Sequence, residues 1–290
     1  MSASDLNRPG ASAAPPFATP QAKKHLGQHF LHDSYVIERI VRAIAPKPED
    51  TLVEIGPGPG ALTLPLLRRA GSLDVVEIDR DLIPVLEQAA QGIGELRVHR
   101  ADALRFDYLT LAVPGRRLRL VGNLPYNIST PLLFHLLEYG TQIVDMHFML
   151  QKEVVDRIVA GPGTPDYGRL SVAVAARADA DSLFTIGPGA FRPPPKVDSA
   201  IVRIKPRPPA FEILDLDCFD RVVTAAFGQR RKQLGNALSS VMDADLIRAA
   251  GIDPRERAER LAAAEFAALA NTVVHARVTP ENPLETPNGD

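Results

Sequence analysis

The six residues Gly122-Asn123-Leu124-Pro125-Tyr126-Asn127 carry the most specific chemistry in the chain. The amide oxygen of Asn123 and the backbone carbonyl of Leu124 are two acceptors. Together they can take both N–H bonds of an exocyclic amino group on a flat ring. Pro125 sets the turn through its locked φ and missing N–H. Tyr126 offers a ring face on which a base can stack. The amino group of adenine suits such a grip. Taken alone, Asn-x-Pro-Tyr is equally an ordinary turn with a half-buried tyrosine, because turns favour these residue types.

A second motif changes that balance. Val53-Glu54-Ile55-Gly56-Pro57-Gly58-Pro59-Gly60-Ala61 follows Thr51-Leu52, so a short apolar strand runs into a glycine-rich turn. Glycines let the backbone approach a ligand without a Cβ in the way. The run Leu62 to Leu67 then reads as a helix, with Pro65 near its first turn, where a missing N–H costs little. About twenty residues on, Val75-Val76-Glu77-Ile78-Asp79 ends a second strand in acid, and Glu77 can accept both ribose hydroxyls of a nucleoside.

The glycine loop alone also fits a relaxed dinucleotide fingerprint, Gly56-x-Gly58-x-x-Ala61. Three features favour S-adenosylmethionine (AdoMet). Glu54 precedes a Gly-x-Gly-x-Gly loop. Asp102 follows the strand-like Leu96 to His99 and can accept a hydrogen bond from the cofactor's adenine. The fourth strand ends in the amino-gripping tetrapeptide, for which a hydride-transfer enzyme has no use.

These motifs need a frame. Strand-like segments near 51–55, 73–78, 96–99, 117–122 and 143–150 alternate with helical patterns such as Asp81 to Ala90 and Thr130 to Glu138. Alternation predicts an α/β fold, a parallel sheet with helices on both faces. Ligands bind such sheets outside the carboxyl ends of the strands, where the glycine loop, Glu77, Asp102 and Asn123 all fall. Pro206-Arg207-Pro208-Pro209 reads as a stiff linker. Short helical patterns follow at Phe219 to Val223, Ala225 to Phe227, Leu234 to Leu238 and Ala262 to Val274. The expected division is an Ala/Ser/Pro-rich, disordered tail over 1–20, the sheet domain over 21–206, a small α-helical domain over 210–276 and a loose tail over 277–290.

Composition bounds the rest. A single cysteine, Cys218, excludes an internal disulfide framework and suits a reducing compartment. No apolar run is long enough to span a bilayer, and the N-terminus has no signal-peptide pattern, so the expectation is a cytoplasmic protein with no membrane partner. His99, His135 and His147 lack metal-ligand spacing, so no metal is expected. Net charge is −2, but basic residues cluster at several points, most clearly in Arg230-Arg231-Lys232. Clustering rather than the sum decides whether nucleic acid can bind.

With these segments in hand, the chain resembles the small-subunit ribosomal RNA adenine N6,N6-dimethyltransferases, the group associated with kasugamycin sensitivity. The resemblance rests on Lys24 to Leu31, Glu54 to Gly60, Glu77 to Asp79, Asp102, Gly122 to Asn127, Phe148 to Val154, Phe191 to Ser199 and Phe227 to Lys232. It implies a Rossmann-like class I AdoMet-dependent methyltransferase sheet with a small C-terminal helical domain. It implies that His29, Leu31, Gly56, Glu77, Asp102 and Asn123 hold AdoMet. Asn123, Leu124, Pro125 and Tyr126 would act on the target adenine, stacked between Tyr126 and Phe191 of the Phe-x-Pro-x-Pro loop. Arg192, Lys196, Arg230, Arg231 and Lys232 would contact RNA.

The implied substrate is a pair of adjacent adenosines in small-subunit (16S) rRNA, within an assembling 30S subunit, with the enzyme acting as a monomer. The family usually carries Asn where this chain has His29, and it usually lacks the glycines found here at 228 and 235. Two alternatives stay open. One is a methyltransferase acting on large-subunit rRNA. The other is a ribosome-assembly factor that retains the fold while its catalysis is secondary.

Overall fold

The computed structural model describes Lys23, residues 28–229 and residues 231–278. The tail expected over 1–20, the expected C-terminal tail from residue 279 onward, and Arg230 of the basic triplet lie outside the described residues, while residues 277–278, expected to be loose, end the last helix. In chain order the elements are β1 (Phe30–Leu31), α1 (Ser34–Ile44), β2 (Thr51–Ile55), α2 (Thr63–Ala70), β3 (Ser72–Glu77), α3 (Ile83–Ala90) and β4 (Glu95–Arg100). Next come β5 (Leu118–Asn123), α4 (Ser129–Leu137), β6 (Ile143–Gln151), α5 (Lys152–Val159), α6 (Arg169–Arg177) and β7 (Ala178–Ile186). The chain closes with β8 (Phe191–Arg192), β9 (Ser199–Pro206), α7 (Leu216–Gly228), α8 (Leu234–Ala237), α9 (Ala244–Ala249) and α10 (Ala263–Val278).

Seven strands form one sheet in the order β4-β3-β2-β5-β6-β9-β7. The first five run parallel. β9 and β7 extend the sheet antiparallel, so the expected all-parallel sheet is a mixed one. The reason lies in β7, whose Asp179, Asp181 and Ser182 alternate with half-buried positions on an edge and carry little apolar signal. The strand order reverses between β2 and β5, and a ligand crevice opens at such a switch point.

Period-two alternation sends β2 to two cores. Val53 and Ile55 pack with Leu120, Phe148 and α4 on one face. Leu52 packs with α1 and α2 on the other. α6 is also two-sided. Leu170 and Val174 join the sheet core, while Val172 and Ala176 join Phe219, Val222 and Phe266 in the core of the C-terminal helices. An i, i+4 pair on each side of one helix thus couples the two cores. The linker is tied down as well, because Arg207 donates to Asp179 and to the Ala175 carbonyl. The two short helices expected around Val223 and Ala225 are one helix, α7, capped by Asp215 and ending at Gly228.

Candidate active site

The carboxyl ends of β2, β3 and β5 open onto one pocket. It is lined by residues 28–31, the loop from Glu54 to Leu62, Val76 to Ile78, Ala101 to Leu104, and Asn123 to Ile128. The loop after β2 turns tightly because Gly56, Gly58 and Gly60 hold φ of 67°, 56° and 97°. Those values are open to glycine and strained for other residues. A Cβ on Gly60 would sit 2.9 Å from a Leu86 methyl. Gly122 serves a different purpose. A Cβ there would come within 2.4 Å of the Ile55 carbonyl oxygen, so glycine lets β5 lie against the end of β2 just before Asn123.

Glu77 is buried at the end of β3. Its Oε2 accepts from the Gly58 N–H at 3.2 Å, and its Oε1 accepts from the Asp79 N–H at 2.8 Å. Burial raises its pKa while these backbone donors oppose the rise. The carboxylate is therefore aimed by the glycine loop itself. Glu54 is 1% exposed. Burial pushes its carboxyl up to about 8, with the neighbouring Glu77 adding to the shift. Its Oε2 has no hydrogen-bond partner among the described residues, although the residue lines the pocket. Asp102 is half-exposed at the rim, its Oδ1 accepting from the Leu104 N–H.

Asn123 is oriented from its nitrogen. Nδ2 donates to the His29 carbonyl at 3.0 Å, and Oδ1 accepts nothing from the described residues. Tyr126 is held by a 2.8 Å hydrogen bond between its hydroxyl and Ser199 Oγ, a fully buried group at the start of β9. The His29 ring lies against Tyr126 with centroids 5.7 Å apart and an interplanar angle of 26°. Its Nδ1 is 2.8 Å from the Pro193 carbonyl. A carbonyl only accepts, so Nδ1 carries the proton. Leu31 is a buried β1 residue paired with Phe191 of β8.

That pairing corrects one expectation. Phe191, which the resemblance implies faces the target adenine, has almost no surface to offer a base in this structure. It is 2% exposed, in the core with Leu31, Val41 and Met149. Withdrawing such a side chain from a core costs roughly 1.5–3 kcal/mol. Arg192, just before His29's partner Pro193, and Lys196, between Pro193 and Tyr126's partner Ser199, are exposed. Arg231 and Lys232 are exposed after α7, and no contact among the described residues joins them to the pocket.

Sequence reasoning assigned no individual role to Ser199, Gly122, Lys23 or Ile78. Ile78 is 54% exposed in the pocket wall, next to Glu77, which is costly for an isoleucine unless a ligand covers it. Lys23 Nζ reaches Asp79 at 2.6 Å and Asp81 at 2.7 Å, and Gln28 donates to Asp79 at 3.1 Å, which straps the N-terminal segment to the acidic loop. An exposed apolar residue beside a strand-end acid was a signal available in the sequence; the other three depend on tertiary neighbours.

The site's architecture matches known proteins. A family model described as ribosomal RNA adenine dimethylase covers residues 19–274. The chain belongs to that family. It is 56% identical over 256 residues to ribosomal RNA small subunit methyltransferase A of Xanthomonas campestris pv. campestris (strain B100), spanning 88% of this chain and 97% of the relative. The corresponding protein of Xanthomonas oryzae pv. oryzae (strain PXO99A) is 57% identical over the same share of both chains. Among solved structures, a dimethyladenosine transferase from Plasmodium falciparum aligns with TM-score 0.70 and 24% identity, over 83% of this chain and 96% of that one, a likeness of fold. The 23S rRNA methyltransferase ErmE aligns with TM-score 0.65 and 26% identity, over 84% and 99%.

The protein is therefore an AdoMet-dependent rRNA methyltransferase with a class I fold. The pocket fits that cofactor on its own terms: an unpartnered buried acceptor at Glu54, a backbone-held carboxylate at Glu77, and an exposed apolar wall at Ile78. Among the described residues no helix is long and apolar enough to cross a membrane, and no group of side chains could hold a metal ion.

Proposed function

We propose that the protein dimethylates N6 of two adjacent adenosines near the 3′ end of small-subunit (16S) rRNA, acting as a cytoplasmic monomer on an assembling 30S subunit. The observation that carries this is the Asn123 amide. Its nitrogen is engaged by the His29 carbonyl, so its oxygen is the end presented for an amino group. The 56% identity to small-subunit methyltransferases, against 26% to a 23S enzyme, supports the choice of subunit.

AdoMet, when bound, supplies a methyl group on positively charged sulfur. His29 through its backbone, Leu31, Gly56, Glu77, Asp102 and Asn123 would hold it, with Glu77 taking the ribose hydroxyls and Asp102 the adenine. The exocyclic nitrogen of the target adenine is a poor nucleophile, because its lone pair is delocalised into the ring. Acceptors at Asn123 Oδ1 and the Leu124 carbonyl draw both N–H bonds to one side and favour a pyramidal nitrogen with a localised lone pair. Such contacts are strongest as the new bond forms, which is where they lower the barrier. Pro125 and Tyr126 keep the turn and stack the base. Once the first methyl is on the nitrogen, that nitrogen carries the positive charge and sheds one proton to solvent; one N–H remains, so one acceptor still aims the nitrogen for the second.

Arg192 and Lys196 beside the pocket, and Arg230, Arg231 and Lys232 before α8, would neutralise phosphates. The helical region over 210–276 would dock on the subunit beyond the methyltransferase domain over 21–206. The test is methyl transfer from labelled AdoMet to unmethylated small subunits, large subunits and free RNA, followed by nucleoside mass analysis. N6,N6-dimethyladenosine confined to small-subunit RNA is the expected result. Label in large-subunit RNA overturns the substrate assignment. Cofactor binding without label in any of the three would indicate an assembly factor.

A further inference from the structure

We infer that the exposed face of α1, leading away from the pocket, is a track for the single-stranded RNA that flanks the methylated adenosines. The inference rests on the RNA substrate proposed above. The path begins in the pocket wall. Leu31 of β1 lines the pocket. The paired strand β8 carries the exposed Arg192 opposite Phe30. α1 starts three residues after Leu31, at Ser34. Asp33 caps that start, accepting from the Tyr35 and Val36 N–H groups at 2.9 and 3.1 Å, which fixes the direction of the first turn. The helical period then sends Ile40, Val41 and Ile44 into the core. It leaves Tyr35, Arg39 and Arg42 outside, at i, i+4 and i+7 on one stripe.

Three features of that stripe suit a nucleic acid. Tyr35 is 76% exposed, the highest value for a large hydrophobic side chain among the described residues. A free ring face beside a base-handling pocket is a stacking platform for any base. The Arg39 guanidinium lies 3.8 Å over the Phe184 ring of β7. Such stacking steadies the fork without using its N–H groups, which stay available to a phosphate. Arg42 Nε and Arg69 Nη2 share one oxygen of Glu38, at 3.0 and 2.7 Å. One carboxylate thus orders two guanidiniums, and net positive charge remains. From Tyr35 to Arg42 the helix rises about 10 Å, the length of about three stacked nucleotides at roughly 3.4 Å each. A protein partner would favour a centre depleted of charge, whereas Tyr35 is followed along the stripe by Arg39 and Arg42.

The experiment compares wild type with Tyr35→Ala, with Arg39→Ala combined with Arg42→Ala, and with a charge-matched control. The control is Arg116→Ala with Arg117→Ala, in the exposed loop before β5. KM, kcat and the salt dependence of KM are measured on unmethylated small subunits. AdoMet affinity by calorimetry and the melting temperature check the cofactor pocket and the fold, and both should match wild type. Tyr35→Ala should raise KM about fivefold or more with kcat unchanged, the lower end of what one stacked base supplies. The α1 arginine pair should raise KM and flatten the slope of log KM against log salt by about 1.4, roughly 0.7 for each phosphate contact to a single strand. The control should leave KM and the slope as in wild type. Tyr35→Cys adds a direct readout, because the chain's one native cysteine, Cys218, is buried. A photocrosslinker on the new thiol should mark rRNA close to the dimethylated pair. Unchanged KM in both α1 variants overturns the inference. So does a control that moves the salt slope as far as the α1 pair, or a crosslink to ribosomal protein in place of RNA. A wild-type protein that leaves small subunits unlabelled removes the substrate assignment first and the track with it, a failure visible before any variant is made.

Discussion

The two ends of the parallel strands β2, β3, β5 and β6 treat buried carboxylates in opposite ways. At the carboxyl ends, Glu54 and Glu77 are buried with no cation paired to either among the described residues. Glu54 keeps an acceptor without a partner. At the amino ends, Arg119 on β5 is almost fully enclosed and fully engaged. It donates to Asp145 through two nitrogens at 2.9 Å each, to Asp50 at 2.6 Å and to the Ile44 carbonyl at 2.7 Å. That last bond also satisfies a carbonyl at the C-terminus of α1, where helices leave such groups open. One end is complete without a ligand and fastens α1 to the sheet. The other keeps a buried acceptor without a partner, at a cost in stability. Stability and recognition are thus separated along strands of five to nine residues.

The largest effect that would sharpen this contrast is at the satisfied end. Arg119→Met leaves Asp145 buried without its partner and should cost about 3–5 kcal/mol. Denaturant unfolding would measure it. The protein that remains folded at low temperature should keep kcat within about twofold, an order set by the distance of Arg119 from the pocket residues. A loss of kcat in fully folded protein would break the separation. At the reserved end, Asn123→Ala should lower kcat roughly 100–1000-fold, the size of one preorganised electrostatic contact, with a wild-type melting temperature. A variant that lost stability along with activity would show the amide to be structural.

Two titrations come next, and they run in opposite directions. Glu54 stays protonated in the fold up to about 8, while in the unfolded chain it ionises above about 4.5. The unfolded state then binds fewer protons across that window, so stability falls as pH rises through it. Without cofactor, Glu54→Gln should melt higher than wild type at pH 8 by an amount on the order of 2–4 kcal/mol, and the same as wild type near pH 4. His147 on β6 is 4% exposed, and neither ring nitrogen has a hydrogen-bond partner among the described residues, although Nδ1 lies 3.7 Å from Asp145. Burial holds its pKa down to about 4, against an ordinary 6.5. Here the unfolded chain binds the extra proton, so stability rises from pH 4 to 6.5. His147→Leu should flatten that rise by about 2–3 kcal/mol, read from melts across the range. Parallel pH profiles for the two variants would mean that the two ends are not electrostatically distinct.

Much of the site is legible in the residues because its geometry is set over a few bonds. Gly56, Gly58 and Gly60 announce a left-handed turn, and the structure has all three at positive φ. Glu77 and Asn123 end strands whose apolar runs are self-evident, and β2 to β6 fall within a residue or two of the expected segments. The segments that escaped are those whose pattern is weak or whose partners are remote. β7 is a polar edge strand. β1 and β8 are two residues each and exist only because they pair with one another. Phe191 was placed beside the base by resemblance, which says nothing of its burial against Leu31 and Val41.

The residue types alone therefore determined the cofactor class and the strand ends that face the pocket, since glycine torsions, turn chemistry and side-chain acceptors are local properties. Tertiary structure alone decided which aromatic faces Tyr126, that Ser199 holds its hydroxyl, that α6 belongs to two cores, and that Arg119 closes the far end of the sheet. Each of those depends on groups brought together across long stretches of chain, as with the 164 residues between His29 and Pro193. No local preference encodes such a meeting; it follows from burying two apolar faces of one sheet at once.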